Sequence, residues 1–245
     1  MTIAFDTRTG RLRLDQEAFY CLVAWASGAA EPGPRLSELR DAGAIRNGAP
    51  HPAVWPGLQA VTEPVCRLHL ASIDDDGRSR SGDGWIASNA AALLLDAPDG
   101  MRELVTVHPT FLPMAIARVV RLGPHPRPGT DPLHLPRVVY DGLFAPDRAE
   151  RRRAAEQLSA GDSGDPPLGN VVEQLVTGPW RLWAVTLTWT TPQGESAAHA
   201  MQVVATDAGL CLVDTGGQDS TMWPTSATGV WRRLTLLLPD EVRAP

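Results

Sequence analysis

Residues 108–124, HPTFLPMAIARVVRLGP, are echoed by residues 223–239, WPTSATGVWRRLTLLLP. At one fixed offset Pro109 falls on Pro224, Thr110 on Thr225, Arg118 on Arg233, Val119 on Leu234, Leu122 on Leu237 and Pro124 on Pro239. A single helix with proline stops could recur by chance, but the correspondence continues upstream. Residues 85–96, WIASNAAALLLD, lie over residues 203–214, VVATDAGLCLVD, so that Asn89 meets Asp207, Ala90 meets Ala208, Leu94 meets Leu212 and Asp96 meets Asp214. Each reads as strand, turn, strand, because Asn and Asp tolerate left-handed turn geometry and Gly supplies it without steric cost. Further back, residues 66–77, CRLHLASIDDDG, parallel residues 183–194, WAVTLTWTTPQG, each alternating apolar and polar residues up to a turn that ends in Gly.

Helical segments precede both strand runs. RLSELRDAGAI and a second run through VWPGLQAV stand in the first half, DRAERRRAAEQL and LGNVVEQLV in the second, where Asp147 with Glu150 three residues on forms a capping box. An additional N-terminal stretch supplies two short strands and a helix capped by Asp15 and stopped at Gly28, with Phe19, Leu22, Val23 and Ala26 on one face. Residues 123–136 are too rich in proline for a helix or a central strand and read as a connector. The expected division is an N-terminal repeat over 1–122, the connector over 123–136 and a C-terminal repeat over 137–245, all in one integrated domain. The expected fold is α+β: two α-α-β-β-β-(β)-α repeats related by a pseudo-two-fold, sharing a central antiparallel sheet with helices mainly on one face.

Composition narrows the function. With 245 residues and 43% hydrophobic content the chain can bury a sizeable core. Its formal charge of −6 argues against nucleic acid and anionic membrane surfaces, where a basic excess is expected. All 22 basic residues are arginine, which excludes Schiff-base chemistry and a P-loop lysine. Asp6, Arg8 and Arg11 occupy the start where a signal peptide needs an apolar run, and no stretch is apolar enough to span a membrane, so a cytoplasmic protein is expected. Cys21, Cys66 and Cys211 have no metal-like spacing and read as core thiols.

Several motifs fail their context. GDSG, residues 161–164, spells part of a serine-protease nucleophile segment, but it lies between two helices with no histidine-bearing partner segment. LVDTG, residues 212–216, resembles the aspartic-protease signature, yet its repeat mate reads Asp96-Ala97-Pro98, and Asp96 and Asp214 would have to approach closely to share a proton. IDDDGRSRSGDG lacks the distal glutamate of a calcium loop. The six histidines show no metal-site clustering, although His69 and His199 both fall on strands and could meet. Arg151, Arg152 and Arg153 sit among Glu150 and Glu156 at helical pair spacing and read as a solvated face. Trp183 and Trp189 share a core-facing strand side, whereas Trp55 and Trp180, beside prolines, are candidates for partly exposed interface anchors.

Three stretches, LRDAGAIRNGAPHPAVWPGLQAVTEP, GWIASNAAALLL and HPTFLPMAIARVVRLGP, with the ending GVWRRLTLLLP, resemble the EspG family of type VII secretion-associated chaperones. The resemblance implies a cytosolic, non-enzymatic protein without cofactor or metal, with a quasi-two-fold α/β arrangement. It also implies a partner: a helical secreted protein or protein pair, PE/PPE-like or WXG-like, bound at its tip and kept soluble for export. No residue-level contact motif comes with the family. Strand alternation supplies the candidates: Arg67, His69 and Ile73 in the first half, Thr186 and Thr188 in the second, on the face opposite Leu68, Leu70, Trp183, Val185 and Leu187. An acid hydrolase using Asp96 and Asp214, and a small-ligand binder with a cleft between the repeats, are the alternatives.

Overall fold

A computed structural model of the chain describes residues 2–29, 33–160 and 168–239. The GDSG stretch lies outside the described residues. Two short strands, β1 (Ala4–Asp6) and β2 (Arg11–Leu14), lead into α1 (Gln16–Ala26) and α2 (Pro34–Asp41). A miniature hairpin of β3 (Ile45–Arg46) and β4 (Ala49–Pro50) follows, then α3 (Trp55–Thr62). Four strands come next, β5 (Cys66–Asp74), β6 (Ser79–Ile86), β7 (Ala91–Asp96) and β8 (Arg102–Val107), closed by α4 (Leu112–Val119). The second half has one opening strand and no counterpart of the β3–β4 hairpin: β9 (Leu133–Pro136), α5 (Arg137–Leu143), α6 (Arg148–Ala160) and α7 (Gly169–Thr177), then β10 (Trp180–Thr190), β11 (Ser196–Thr206), β12 (Gly209–Asp214) and β13 (Asp219–Thr225), closed by α8 (Ala227–Thr235).

Eleven strands form one antiparallel sheet in the order β1-β2-β8-β7-β6-β5-β10-β11-β12-β13-β9. Read outward from the β5–β10 seam, both directions give four consecutive strands, followed by β2 and then β1 on the first-half side and by β9 alone on the other. The stretch expected to be only a connector therefore contributes β9. Pro132 just before it and Pro136 at its end bracket a short edge strand, the place in a sheet where a missing N–H is tolerated.

Local chemistry fixes the elements. The Asp15 carboxylate accepts from the Ala18 N–H at 2.8 Å and starts α1, while Gly28, at φ 75°, follows its end. Asp147 accepts from Ala149 N–H at 2.9 Å and starts α6. Asn47 and Gly48, both at positive φ, make the two-residue turn of the β3–β4 hairpin. In β6, Gly84 lies between Leu93 and Leu68, whose side chains take the space a Cβ would need, at 3.0 and 3.1 Å.

Three cores result. One side of the sheet buries Leu68, Leu70, Val185, Leu187, Met201 and Val203 beneath α4 and α8. Each such fully buried aliphatic side chain contributes roughly 1.5–3 kcal/mol of hydrophobic free energy. The other side carries two separate helical groups. Helices α1, α2 and α3 cover Leu94 and Leu104 of the first half, and α5, α6 and α7 cover Val204, Cys211 and Met222 of the second. Six of the eight described α-helices thus share one face, with a gap between the two groups.

Some side chains depart from the expected exposure. Trp180 is not an exposed anchor: it is 4% accessible, edge-on to Phe144 with ring centroids 5.3 Å apart. Trp55 is partly exposed at 39%. Arg151 is buried and donates to the carbonyls of Ala145 and Pro146 at 2.8 and 2.9 Å, satisfying groups left open after α5, while its guanidinium lies over Trp180. Charge spacing alone could not distinguish this arginine from its solvated neighbours Arg152 and Arg153.

Candidate partner-binding trough

The gap between the helical groups is floored by β5 and β10, the two strands at the middle of the sheet. Helix α3 packs over β6, β7 and β8, α7 lies against β11 and α5 against β13. The strand faces between them carry Arg67, His69 and Ala71 on β5, and Ala184, Thr186 and Thr188 on β10. Arg67, His69 and Thr188 are exposed, while Ala71, Ala184 and Thr186 are half-buried. Pairing is direct: Arg67 stands opposite Thr188, His69 opposite Thr186 and Ala71 opposite Ala184. The alternation expected from sequence is therefore the alternation observed, and four of the five candidate residues form one contiguous patch. Ile73 shares the face but sits at the end of the floor, half-buried against the α5–α7 core.

From Arg67 to Ile73 the floor runs roughly 20 Å, and from β6 to β11 it is roughly 15 Å wide, taking standard strand rise and spacing. That admits one α-helix of about 10–12 Å diameter lying along the strands, or the end of a packed helix pair. A recess of about 410 Å³ opens at one end beside Arg67, Thr188 and Val65, and one of about 350 Å³ at the other beside Ala71, Ala184 and Gln202.

The two banks differ chemically. On the first-half bank His69 Nδ1 lies 3.2 Å from Asp83 Oδ1. Arg102 continues the network, 3.4 Å from Asp83 and 3.2 Å from Asp96, and donates to Gln16 Oε1 at 3.0 Å, tying the sheet to α1. Trp85 on the same bank packs on Phe19 of α1, with ring centroids 5.6 Å apart. On the second-half bank β11 presents Ala198, Ala200 and Gln202, and Gln202 Nε2 donates to the Tyr140 hydroxyl of α5 at 3.0 Å. Burial pushes the Tyr140 phenol well above its ordinary pKa, so it stays a neutral hydrogen-bonding group.

Asp83, Arg102, Ala200 and Gln202 were not among the residues picked from sequence. The signal for Asp83 was present in SRSGDGWI: Gly82 and Gly84 mark the side crowded by Leu95, Leu93 and Leu68, which leaves Ser81, Asp83 and Trp85 on the other. Arg102 and Gln202 reach the trough through strand order, which no local pattern encodes.

The catalytic alternative loses its geometry here. Asp96 ends β7, where it accepts from the Ser81 N–H at 2.6 Å and hydroxyl at 3.0 Å; Asp214 ends β12 and accepts from Gly216 N–H at 3.1 Å. Four strands stand between β7 and β12, a separation of roughly 24 Å at ordinary strand spacing. Two carboxylates that far apart cannot share a proton. His69 and His199 do not meet either. His199 lies on the opposite face, with Nδ1 3.0 Å from the Leu237 carbonyl and its ring against Trp189. Among the described residues no group of three or more His, Cys, Asp or Glu side chains is arranged to hold a metal, and no helix is long and apolar enough to cross a membrane.

No protein-family model and no curated protein matches the sequence. Among solved structures, the Mycobacterium tuberculosis type VII secretion system chaperone EspG5, determined in complex with a PE25–PPE41 dimer, superposes with a TM-score of 0.61 at 10% sequence identity. The match covers 94% of this chain and 97% of that one. Nearly the whole chain therefore follows one known architecture, and the protein has an EspG-type fold.

Proposed function

We propose that the protein is a cytosolic EspG-like chaperone or adaptor that seats the tip of a helical type VII secretion substrate in the β5–β10 trough and keeps it soluble for export. The observation that carries this reading is the trough: a strand surface at the centre of the sheet, left uncovered by six helices that share its face. An isolated sheet face that is neither core nor strongly charged remains soluble alone, yet admits close approach of a helix. The likeness to EspG5 supports the same reading, since that protein was captured with a PE25–PPE41 dimer. A PE/PPE-like or WXG-like pair is the corresponding client here. The role is binding rather than catalysis, and it requires no cofactor.

The test is affinity capture of the tagged protein from its native cells, with the Thr186→Arg variant run in parallel. The expected result is enrichment of small helical secreted proteins by the native chain and their loss with the variant, at unchanged melting temperature. Equal recovery on both would move the client site off the trough, and an absence of helical secreted proteins from both would count against the chaperone role.

A further inference from the structure

The trough is chemically one-sided, and a partner lying in it has to be one-sided too. Across β5 and β6 the cross-strand pairs facing the gap are Arg67 with Trp85, His69 with Asp83 and Ala71 with Ser81. Across β10 and β11 the facing pairs are Thr188 with Ala198, Thr186 with Ala200 and Ala184 with Gln202. One bank is charged and aromatic; the other bears no charge.

Within the charged bank most groups are already matched. Asp83 is held by His69 and Arg102, and Asp96 by Arg102 and Ser81. Arg67 is different: it is exposed, and its guanidinium has no hydrogen bond or ion pair among the described residues. It also stands directly opposite Thr188 and one residue pair from Thr186, so anything that covers the seam covers Arg67. Burying an unpaired guanidinium carries a desolvation cost that only a counter-charge offsets, and a carboxylate accepts from guanidinium with the best geometry. On the other bank the reverse holds. Ala198, Ala200 and Ala184 leave room for a helix backbone to approach, and a charged side chain placed there would find no counter-charge.

Building on the trough reading above, we propose that the client docks in one orientation, with an Asp- or Glu-bearing helix end on Arg67 and an uncharged, small-residue helix face on the Thr186–Ala200 bank. Arg67 is then the specificity-determining residue that distinguishes the two helices of the client. Its repeat mate is Ala184, so the two halves of the trough cannot substitute for one another although their strand order is the same.

The experiment uses a defined probe: a two-helix hairpin displayed on yeast, with its tip positions randomised, selected against the native protein. Binders that lose at least tenfold in affinity for Thr186→Arg are those seated in the trough. The expected result is that these carry Asp or Glu at the tip, weaken more than tenfold against Arg67→Glu, and regain binding to that variant when the acid is replaced by Lys. Arg67→Met serves as the second variant and is expected to weaken the same binders without the rescue. Trough-seated binders that lack an acid, or that ignore residue 67, would overturn the orientation while leaving the trough as the site. A selection yielding no binder that Thr186→Arg blocks would instead overturn the trough reading itself.

Discussion

His69 and Thr186 are direct cross-strand partners on the β5–β10 seam, and they are also counterparts in the sequence repeat, since laying Cys66 on Trp183 lays His69 on Thr186. A residue paired with its own repeat mate across an antiparallel seam is the register that a local two-fold between the halves requires. It places the middle of the repeat at the middle of the sheet, with both side chains facing the trough. The seam register and the proposed site therefore meet at one residue pair, and its neighbours on the same strands give the first prediction.

Alternation across this seam separates stability from binding. Leu187 is fully buried beneath α4 and α8, whereas Thr186 beside it faces the trough. Leu187→Ala is expected to cost about 2–5 kcal/mol in urea unfolding, the usual range for a core aliphatic truncation. Thr186→Arg is expected to stay within about 0.5 kcal/mol of the native chain. Comparable losses for both would mean that the trough floor is packed rather than open.

Gly84 tests the close packing of β6. A Cβ there would lie 3.0 Å from Leu93 Cδ2 and 3.1 Å from Leu68 Cβ, both in the core under α4. Gly84→Val should therefore destabilise by about 1–3 kcal/mol through overpacking, despite the higher strand propensity of valine. A thermal melt at or above the native one would disprove the crowding.

Arg102 holds the first-half bank together. It reaches Asp83, Asp96, the Leu94 carbonyl and Gln16 of α1 while its side chain is only 16% accessible. Arg102→Met leaves two carboxylates without their cation and is expected to cost about 1–3 kcal/mol. In a double-mutant cycle with Asp83→Asn a coupling of at least about 0.5 kcal/mol should appear. Strict additivity would show that the pair is not coupled.

Cys211 predicts an alkaline limit to stability. Burial pushes its thiol from 9.0 up to about 12. Below pH 9 both folded and unfolded chains keep the proton, and stability does not depend on this group. Between the two values the unfolded chain releases the proton while the folded chain retains it, so stability falls as pH rises, by up to about 1.4 kcal/mol per pH unit. Burial raises the Tyr140 phenol as well, and it acts in the same direction. In pH-dependent denaturation, Cys211→Ala should flatten part of the fall above pH 9. An unchanged slope would remove the thiol as its cause.

Much of the architecture is legible along the chain because its causes are local. The Asp15 cap, the Asp147 cap and the alternation of β5 and β10 each depend on neighbours a few residues apart, and all stand where the sequence places them. The recurring segments of sequence add a longer-range expectation, that similar segments form similar elements. What lay beyond the sequence is set by contacts between distant residues. Pro132 and Pro136 mark irregular chain by composition, yet a free sheet edge beside β13 lets residues 133–136 pair there. Arg151 carries the same local spacing as a solvated arginine, and only the packing of α6 on α5 turns it toward the Ala145 and Pro146 carbonyls. The trough is the clearest case. Alternation identifies which side chains of β5 and β10 point away from the core under α4 and α8. Whether that opposite face is covered depends on where two groups of three helices come to rest, and this is decided by the apolar surfaces of β7, β8, β11, β12 and β13 that they bury. The helices settle over those flanking strands because the buried area is there, and the centre of the sheet is left uncovered.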